Sequence, residues 1–283
     1  MRAGQKPLFK TKPKGTGGAM PEIAPETAPD TAPETAPGTA PQIAPAIAPD
    51  CGFDLVIFDC DGVLIDSEII SARMLVQELA GFGVVIDLAY VAQHFLGRCY
   101  PTVLAQIRRE FGLDLPVGFE DQYRARLMAA FEVGLQVMPG VVPVLQRLAL
   151  PWCVATSSSP MRARRSLEIA GLAGMVGERL YTATMVARGK PAPDLFLHVA
   201  QVTRVDPARC LVIEDSLHGV AAGLAAGMVV WRFTGGSHLA GQSQAALDAA
   251  RANLNFADFA DFFALPPGLP QLDATQPNPK RRP

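Results

Sequence analysis

Lysine is nearly missing from the body of this chain. Lys6, Lys10, Lys12 and Lys14 lie near the start and Lys280 near the end, so Lys190 stands alone between them while arginines are plentiful. Cysteines are few: Cys51, Cys60, Cys99, Cys153 and Cys210 are odd in number, scattered, and form no C-x-x-C pair. That pattern excludes a disulfide framework and suits a reducing cytoplasm. No apolar run approaches the roughly 18 residues a membrane span needs. The basic start also lacks the apolar h-region of a secretory signal. Formal net charge is only −2, so no global field draws the chain to nucleic acid or anionic lipid. The expectation is a soluble cytoplasmic protein with neither nucleic acid nor membrane as partner.

Proline, by contrast, is concentrated. Residues 21–50 repeat Ala-Pro every fourth position, from Ala24-Pro25 to Ala48-Pro49. Proline at that density removes backbone donors and blocks helix, and the segment lacks the large apolar residues of a core. Residues 1–50 are therefore expected to be a disordered spacer, and the Pro-rich stretch 266–283 a disordered tail.

The body alternates two periods. Residues 55–59 (LVIFD), 152–156 (WCVAT), 179–183 (RLYTA), 210–215 (CLVIED) and 228–233 (MVVWRF) are short apolar runs of buried-strand type. Helical stretches around 162–170, 193–202 and 216–226 separate the later ones. This alternation predicts a doubly wound, Rossmann-like parallel sheet of the α/β class, in which ligands bind at the carboxyl ends of the strands. Residues 67–137 break the pattern: they contain no clear strand, only helical patterning such as Ala72, Leu75, Val76 and Leu79. Breakers at Gly81-Phe82-Gly83, Gly97, Gly112 and Pro116 divide them into several helices. The expected organisation is a core of 51–66 plus 138–265, with 67–137 inserted as an all-α cap.

Chemistry gathers at the strand ends. The first strand delivers Asp59-Cys60-Asp61-Gly62, two carboxylates one residue apart that repel unless something positive lies between them. The second ends in Thr156-Ser157-Ser158-Ser159-Pro160, hydroxyls at a helix start that suit an anion. The third leads to Gly189-Lys190-Pro191, and the fourth ends in Glu214-Asp215-Ser216. Taken singly these read as a turn, an N-cap, a surface loop and a helix start. A parallel sheet brings all four to one edge, where Asp59 and Asp215 suit a hard dication while Lys190, Thr156 and Ser157 suit a phosphoryl group.

DCDGVLIDSE, ATSSS, GKPAPD and VIEDS resemble, in this order, the four motifs of the haloacid dehalogenase superfamily, and within it the phosphoglucomutase-like branch with its helical cap. The chain also resembles bacterial sugar-phosphate phosphatases, including those acting on 6-phosphogluconate. The resemblance implies Asp59 as nucleophile and Asp61 as general acid/base whose main-chain carbonyl also meets the metal. It implies Thr156 and the Ser157 N–H as phosphate donors, Lys190 as charge stabiliser, Asp215 as a Mg²⁺ ligand and Glu214 near the metal or a ligating water. The expected activity is Mg²⁺-dependent hydrolysis of a small phosphomonoester, such as a sugar or sugar-acid phosphate, by a monomer or weak dimer.

Two rivals remain open: a β-phosphoglucomutase-like phosphomutase and a catalytically silent phosphate-binding protein. Against the mutase, Ser71 stands where that branch carries a cap histidine, and Ser158-Ser159-Pro160 where it carries a lysine. Arg98, after His94-Phe95-Leu96-Gly97, is the cap candidate for substrate selectivity. His218 is expected at the surface or behind the site. Gly219, Gly223 and Gly227 are expected to permit close helix–sheet packing. Arg73, Arg124 and Arg126 are expected to be solvated.

Overall fold

The computed structural model describes residues 51–113, 115–243 and 251–272. The Ala-Pro spacer and residues 273–283 of the expected tail lie outside them. Strand β1 (Leu55–Phe58) is buried along its whole length, and its residues alternate between two cores. Val56 and Phe58 pack with Val154, Leu211, Ile213 and Trp231 on one face, while Leu55 and Ile57 pack with Cys153, Ala155, Val212 and Val230 on the other. This is the two-residue period of a strand covered on both sides. Each such fully buried aliphatic or aromatic side chain contributes roughly 1.5–3 kcal/mol of transfer free energy.

The chain leaves β1 into four helices: α1 (Glu68–Ala80), α2 (Leu88–His94), α3 (Tyr100–Phe111) and α4 (Phe119–Gly134). Each expected breaker falls between two of them. Ala72, Leu75 and Leu79 of α1 are buried, as are Tyr123, Leu127 and Phe131 of α4, so the two helices meet along apolar faces at helical spacing. These helices form the cap. The chain then returns through α5 (Val141–Arg147), β2 (Trp152–Thr156), α6 (Pro160–Ile169), α7 (Ala173–Val176), β3 (Leu180–Thr182), α8 (Asp194–Thr203), β4 (Cys210–Glu214), α9 (Leu217–Ala225), β5 (Val229–Phe233) and β6 (Leu254–Phe256). α8 and α9 supply Leu195, Phe196, Val199 and Val220 to one core, and α5 and α6 supply Val141, Val144 and Leu167 to the other.

All described strand pairs are parallel, in the order β3-β2-β1-β4-β5-β6. The order reverses direction between β1 and β4, the place where such sheets open a crevice for ligands. Phe58 lies level with Val154 and Ile213, and the Asp59 N–H donates to Ile213 O at 2.9 Å. One residue further on, the acids of β1 and β4 come side by side.

Two sequence expectations need correction. β6 is a sixth strand that three residues with Asn255 at their centre do not announce; it pairs with β5 beside a cluster of Phe233, Phe256, Phe259 and Phe262. The tail expected to be loose from 266 stays with the body as far as Leu272. Ala149 N donates to Pro270 O at 3.0 Å, Leu272 N donates to Arg147 O at 2.6 Å, and Leu269 is buried. Proline content suggested disorder there, but an apolar anchor and backbone bonds to the end of α5 offset it. No helix among the described residues is long and apolar enough to cross a membrane.

Candidate active site

Lys190, the lone lysine of the body, is buried, and its ammonium uses all three donors: to Asp59 Oδ1 at 2.8 Å, Glu214 Oε1 at 2.7 Å and Ala155 O at 3.0 Å. Burial alone would lower its pKa, but the carboxylates of Asp59 and Glu214 hold it above the ordinary lysine value. It is an ammonium locked between β1, β2 and β4. Glu214 is equally occupied, because its Oε2 accepts from the N–H groups of Asp215 and Ser216 and from Ser216 Oγ, at 2.9 to 3.0 Å. A Cβ on Gly219 would fall 1.7 Å from Glu214 Oε1, so only glycine leaves room for that carboxylate. Ser216 caps α9 by accepting from Gly219 N, and neither preceding acid serves as the cap.

Asp61 lies past the end of β1 and keeps different company. Its carboxylate accepts from Ser67 Oγ at 2.5 Å, Ser158 Oγ at 2.7 Å, Arg162 Nη2 at 3.1 Å and, more weakly, Thr156 Oγ1 at 3.4 Å. Burial raises its pKa, but Arg162 and the two serine hydroxyls outweigh that and hold it below the ordinary value. The Arg162 guanidinium also lies over the Phe131 ring. The side chains of Asp59 and Asp61 are thus held apart by separate partners.

A third acid completes the edge. Oxygens of Asp59, Glu214 and Asp215 lie within 4.8 Å of one another, all buried. Three buried carboxylates share one ammonium there. Burial, then the neighbouring Glu214, pushes Asp215 well above the usual range; burial does the same to Asp59, with Lys190 pulling the other way. Among the described residues neither oxygen of Asp215 receives an aligned hydrogen bond, which for a buried carboxylate leaves a large unmet electrostatic demand. An all-oxygen acidic set of this kind fits a hard dication. Asp61, expected to meet the metal through its main-chain carbonyl, keeps its side chain outside this trio.

The cap closes the other side. A cavity lies between the strand ends and the cap helices, with Asp59, Asp61, Thr156, Ser157 and Arg98 on its wall. Ser157 Oγ donates to Gly97 O at 2.8 Å, so its hydroxyl joins core to cap. Arg98 Nη1 donates to Gln106 Oε1 at 2.6 Å and its Nε to His218 Nε2 at 2.9 Å. His218, in turn, meets Leu96 O through Nδ1 at 2.8 Å, and burial with Arg98 lowers its pKa. His218 is a link from α9 to the cap. Gly223 packs closely, a Cβ there falling 2.6 Å from Val230 Cγ2, whereas Gly227 has open space and a positive φ of 75° that ends the helix turn. Arg73 is exposed, Arg126 pairs with Glu78 and Arg124 with Glu120 at the surface.

Sequence reasoning missed Ser67, Ser158 and Arg162 around Asp61, and His238 beside Asp215. Ser67 lay inside the first motif and Ser158 inside the second, so their positions were available. Arg162 and His238 carried no local signal.

Residues 53–227 match the family model described as haloacid dehalogenase-like hydrolase. The 6-phosphogluconate phosphatase of Escherichia coli (strain K12) is 29% identical over 186 residues, 65% of this chain and 84% of that protein. Among solved structures, a haloacid dehalogenase-like protein of unknown function from Agrobacterium tumefaciens str. C58 is 36% identical with a TM-score of 0.65, covering 75% of this chain and 96% of that one. A HAD family hydrolase from Deinococcus radiodurans R1, solved with bound phosphate and sodium, is also 36% identical, with a TM-score of 0.59 and coverage of 76% and 95%. With its four motifs gathered at one sheet edge under a helical cap, the chain belongs to the haloacid dehalogenase-like hydrolases and is a phosphatase.

Proposed function

We propose that the chain hydrolyses a small sugar phosphate or sugar-acid phosphate, with Mg²⁺, through a phosphoryl group carried on Asp59. The observation that carries this reading is the trio of buried carboxylates around Lys190, with Asp215 lacking any aligned donor. Asp59, Asp215, the Asp61 main-chain carbonyl and the neighbourhood of Glu214 would hold Mg²⁺. When bound, it would offset the negative charge of phosphate and carboxylates.

The chain's own residues divide the work. An Asp59 oxygen attacks phosphorus and the bond from phosphorus to the ester oxygen breaks. Asp61 gives its proton to the departing alkoxide. The low pKa of Asp61 in the free protein rises when a dianionic phosphate comes beside it, which readies it as the acid. Water then attacks the phosphoryl group, Asp61 takes a proton from that water, and Asp59 and inorganic phosphate are released. Lys190, already fixed on Asp59, opposes charge building on the phosphoryl oxygens without reorganising. Thr156 and the Ser157 N–H donate to those oxygens.

Beyond the reacting end, where Arg162 is already held on Asp61, the cavity wall carries Arg98, Tyr100, Glu68 and Ser71. Arg98 among these hydroxyls suits a polyhydroxylated chain with an anionic far end, as the name of the Escherichia coli relative also suggests. A panel of sugar and sugar-acid phosphates, assayed for phosphate release with Mg²⁺ and with EDTA, tests this. Release that needs Mg²⁺ is expected, with sugar acids favoured and Arg98→Ala raising KM for them most. Undiminished release in EDTA, or no release from any member, would count against it.

A further inference from the structure

The segment after β5 reads Thr234-Gly235-Gly236-Ser237-His238, and the mechanism above leaves it unused. It folds back over the catalytic edge through a short 3₁₀ turn, Ser237–Leu239. The His238 side chain is 2% exposed and its Nε2 lies 2.9 Å from Asp215 Oδ2. The approach is close but unaligned: neither ring nitrogen nor either Asp215 oxygen makes a hydrogen bond of good geometry. A contacting pair with four buried polar atoms and no aligned bond is a costly arrangement unless something else completes it.

The ring is held there on purpose-built steric terms. A Cβ on Gly236 would fall 2.6 Å from His238 Cε1. A Cβ on Gly62 would fall 1.9 Å from Asp215 Oδ2 and 3.1 Å from the same ring carbon. The imidazole therefore fills a slot that two glycines leave open beside the acid. Ser237 pins the segment, its N–H and Oγ donating to Asp66 Oδ1 at 3.2 and 2.9 Å. Arg232 fixes the main chain of Asp215 by donating to its carbonyl at 2.8 Å. The Asp215 backbone is thus held on one side, while its carboxylate lies between the acids Asp59 and Glu214 and the ring of His238.

We propose that His238 is a positioning residue for Asp215, an assignment that rests on the metal-dependent reading above. In the metal-bound protein its Nε2–H donates to Oδ2, which already lies 2.9 Å away, so that Asp215 offers the other oxygen to the cation in a fixed orientation. Groups of this kind behind a metal ligand tune affinity without touching the metal. Direct ligation by His238 fits less well, because the metal-competent group of closely spaced atoms comprises Asp59, Glu214 and Asp215 without it.

Binding of Mn²⁺, followed by its electron paramagnetic resonance signal in the full-length protein, tests the assignment apart from activity. His238→Leu removes the donor and is expected to weaken Mn²⁺ binding about 10–100-fold, with kcat at saturating metal reduced far less. His238→Gln keeps a side-chain N–H and is expected to bind within about threefold of the parent. If His238→Leu does not fold, His238→Asn, too short to reach the same oxygen, takes its place. Leu or Asn variants that bind Mn²⁺ as tightly as the parent would overturn the assignment. So would a Gln variant as weak as Leu, which would mean that only ring packing matters, or a ¹⁴N coupling to bound Mn²⁺, which would make His238 a direct ligand. Parent protein that binds no metal would instead overturn the metal-dependent reading itself.

Discussion

Lys190 and Asp59 are 131 residues apart in the chain and 2.8 Å apart in the fold. The sheet order makes that meeting possible, since β1 lies beside β2 and β4 and Lys190 reaches across to Asp59, Ala155 O and Glu214. Removing the ammonium leaves two buried carboxylates facing each other. Lys190→Ala is expected to lose at least about 100-fold in kcat/KM, roughly 2.7 kcal/mol of transition-state stabilisation. It should also lose about 3–5 kcal/mol of stability in EDTA. A loss of twofold or less in kcat/KM would make Lys190 structural only.

Glu68 opens α1 on the cavity wall, and burial followed by the charges of Asp61 and Asp215 pushes it up to about 8 from an ordinary 4.5. A folded-state pKa above the unfolded one means the native protein keeps a proton that the unfolded chain releases. Stability contributed by Glu68 is therefore lost as pH rises from 4.5 through about 8. Glu68→Gln is always neutral, so metal-free Glu68→Gln should show a shallower fall between pH 5.5 and 8.5, by up to about 1.4 kcal/mol per pH unit. Denaturant melts in EDTA across that range measure it. Equal slopes for the two proteins would contradict the placement of Glu68 as a buried, neutral acid.

Water, rather than a sugar, is expected to receive the phosphoryl group. Ser71, where the mutase branch has a cap histidine, donates its hydroxyl to Ser67 O at 3.0 Å and has no imidazole to gate Asp61. Following β-glucose 1-phosphate by ³¹P NMR with a trace of the bisphosphate should show inorganic phosphate and no 6-phosphate. Conversion to the 6-phosphate faster than phosphate release would replace the hydrolytic reading with the mutase one.

Phe262 is fully buried against Phe58 of the first strand, Trp231 and Phe256. Phe262→Ala should cost about 3–5 kcal/mol in chemical denaturation while leaving kcat of the folded fraction within about twofold. A change below 1 kcal/mol would mean that the segment after β6 adds little to the core.

What could be read from the sequence was what is written in local period and spacing. Leu55–Phe58 alternates between two cores as its apolar run required, and the breakers at Gly81, Gly97 and Pro116 fall between cap helices. Asp59, Lys190, Glu214 and Asp215 could be brought together on paper because a parallel sheet carries all its strand ends to one edge. β6 escaped because three residues centred on Asn255 are too short to show alternation. Arg162 and His238 escaped for a different reason: each reaches its acid, Asp61 or Asp215, across a long loop closure that no local pattern encodes. The disorder expected from proline at 266–272 failed because one buried Leu269 and backbone bonds to Arg147 and Ala149 outweigh composition.

Asp59 is the residue expected to carry the phosphoryl group, and every other role at the site follows from that. Protein quenched in acid during turnover of a ³²P-labelled sugar phosphate, then digested and mapped, measures this directly. The expected result is acid-stable, hydroxylamine-labile label on the peptide containing Asp59, and none on Asp59→Asn. Turnover with no label on that peptide, or Asp59→Asn protein that releases phosphate at the parent rate, would contradict it.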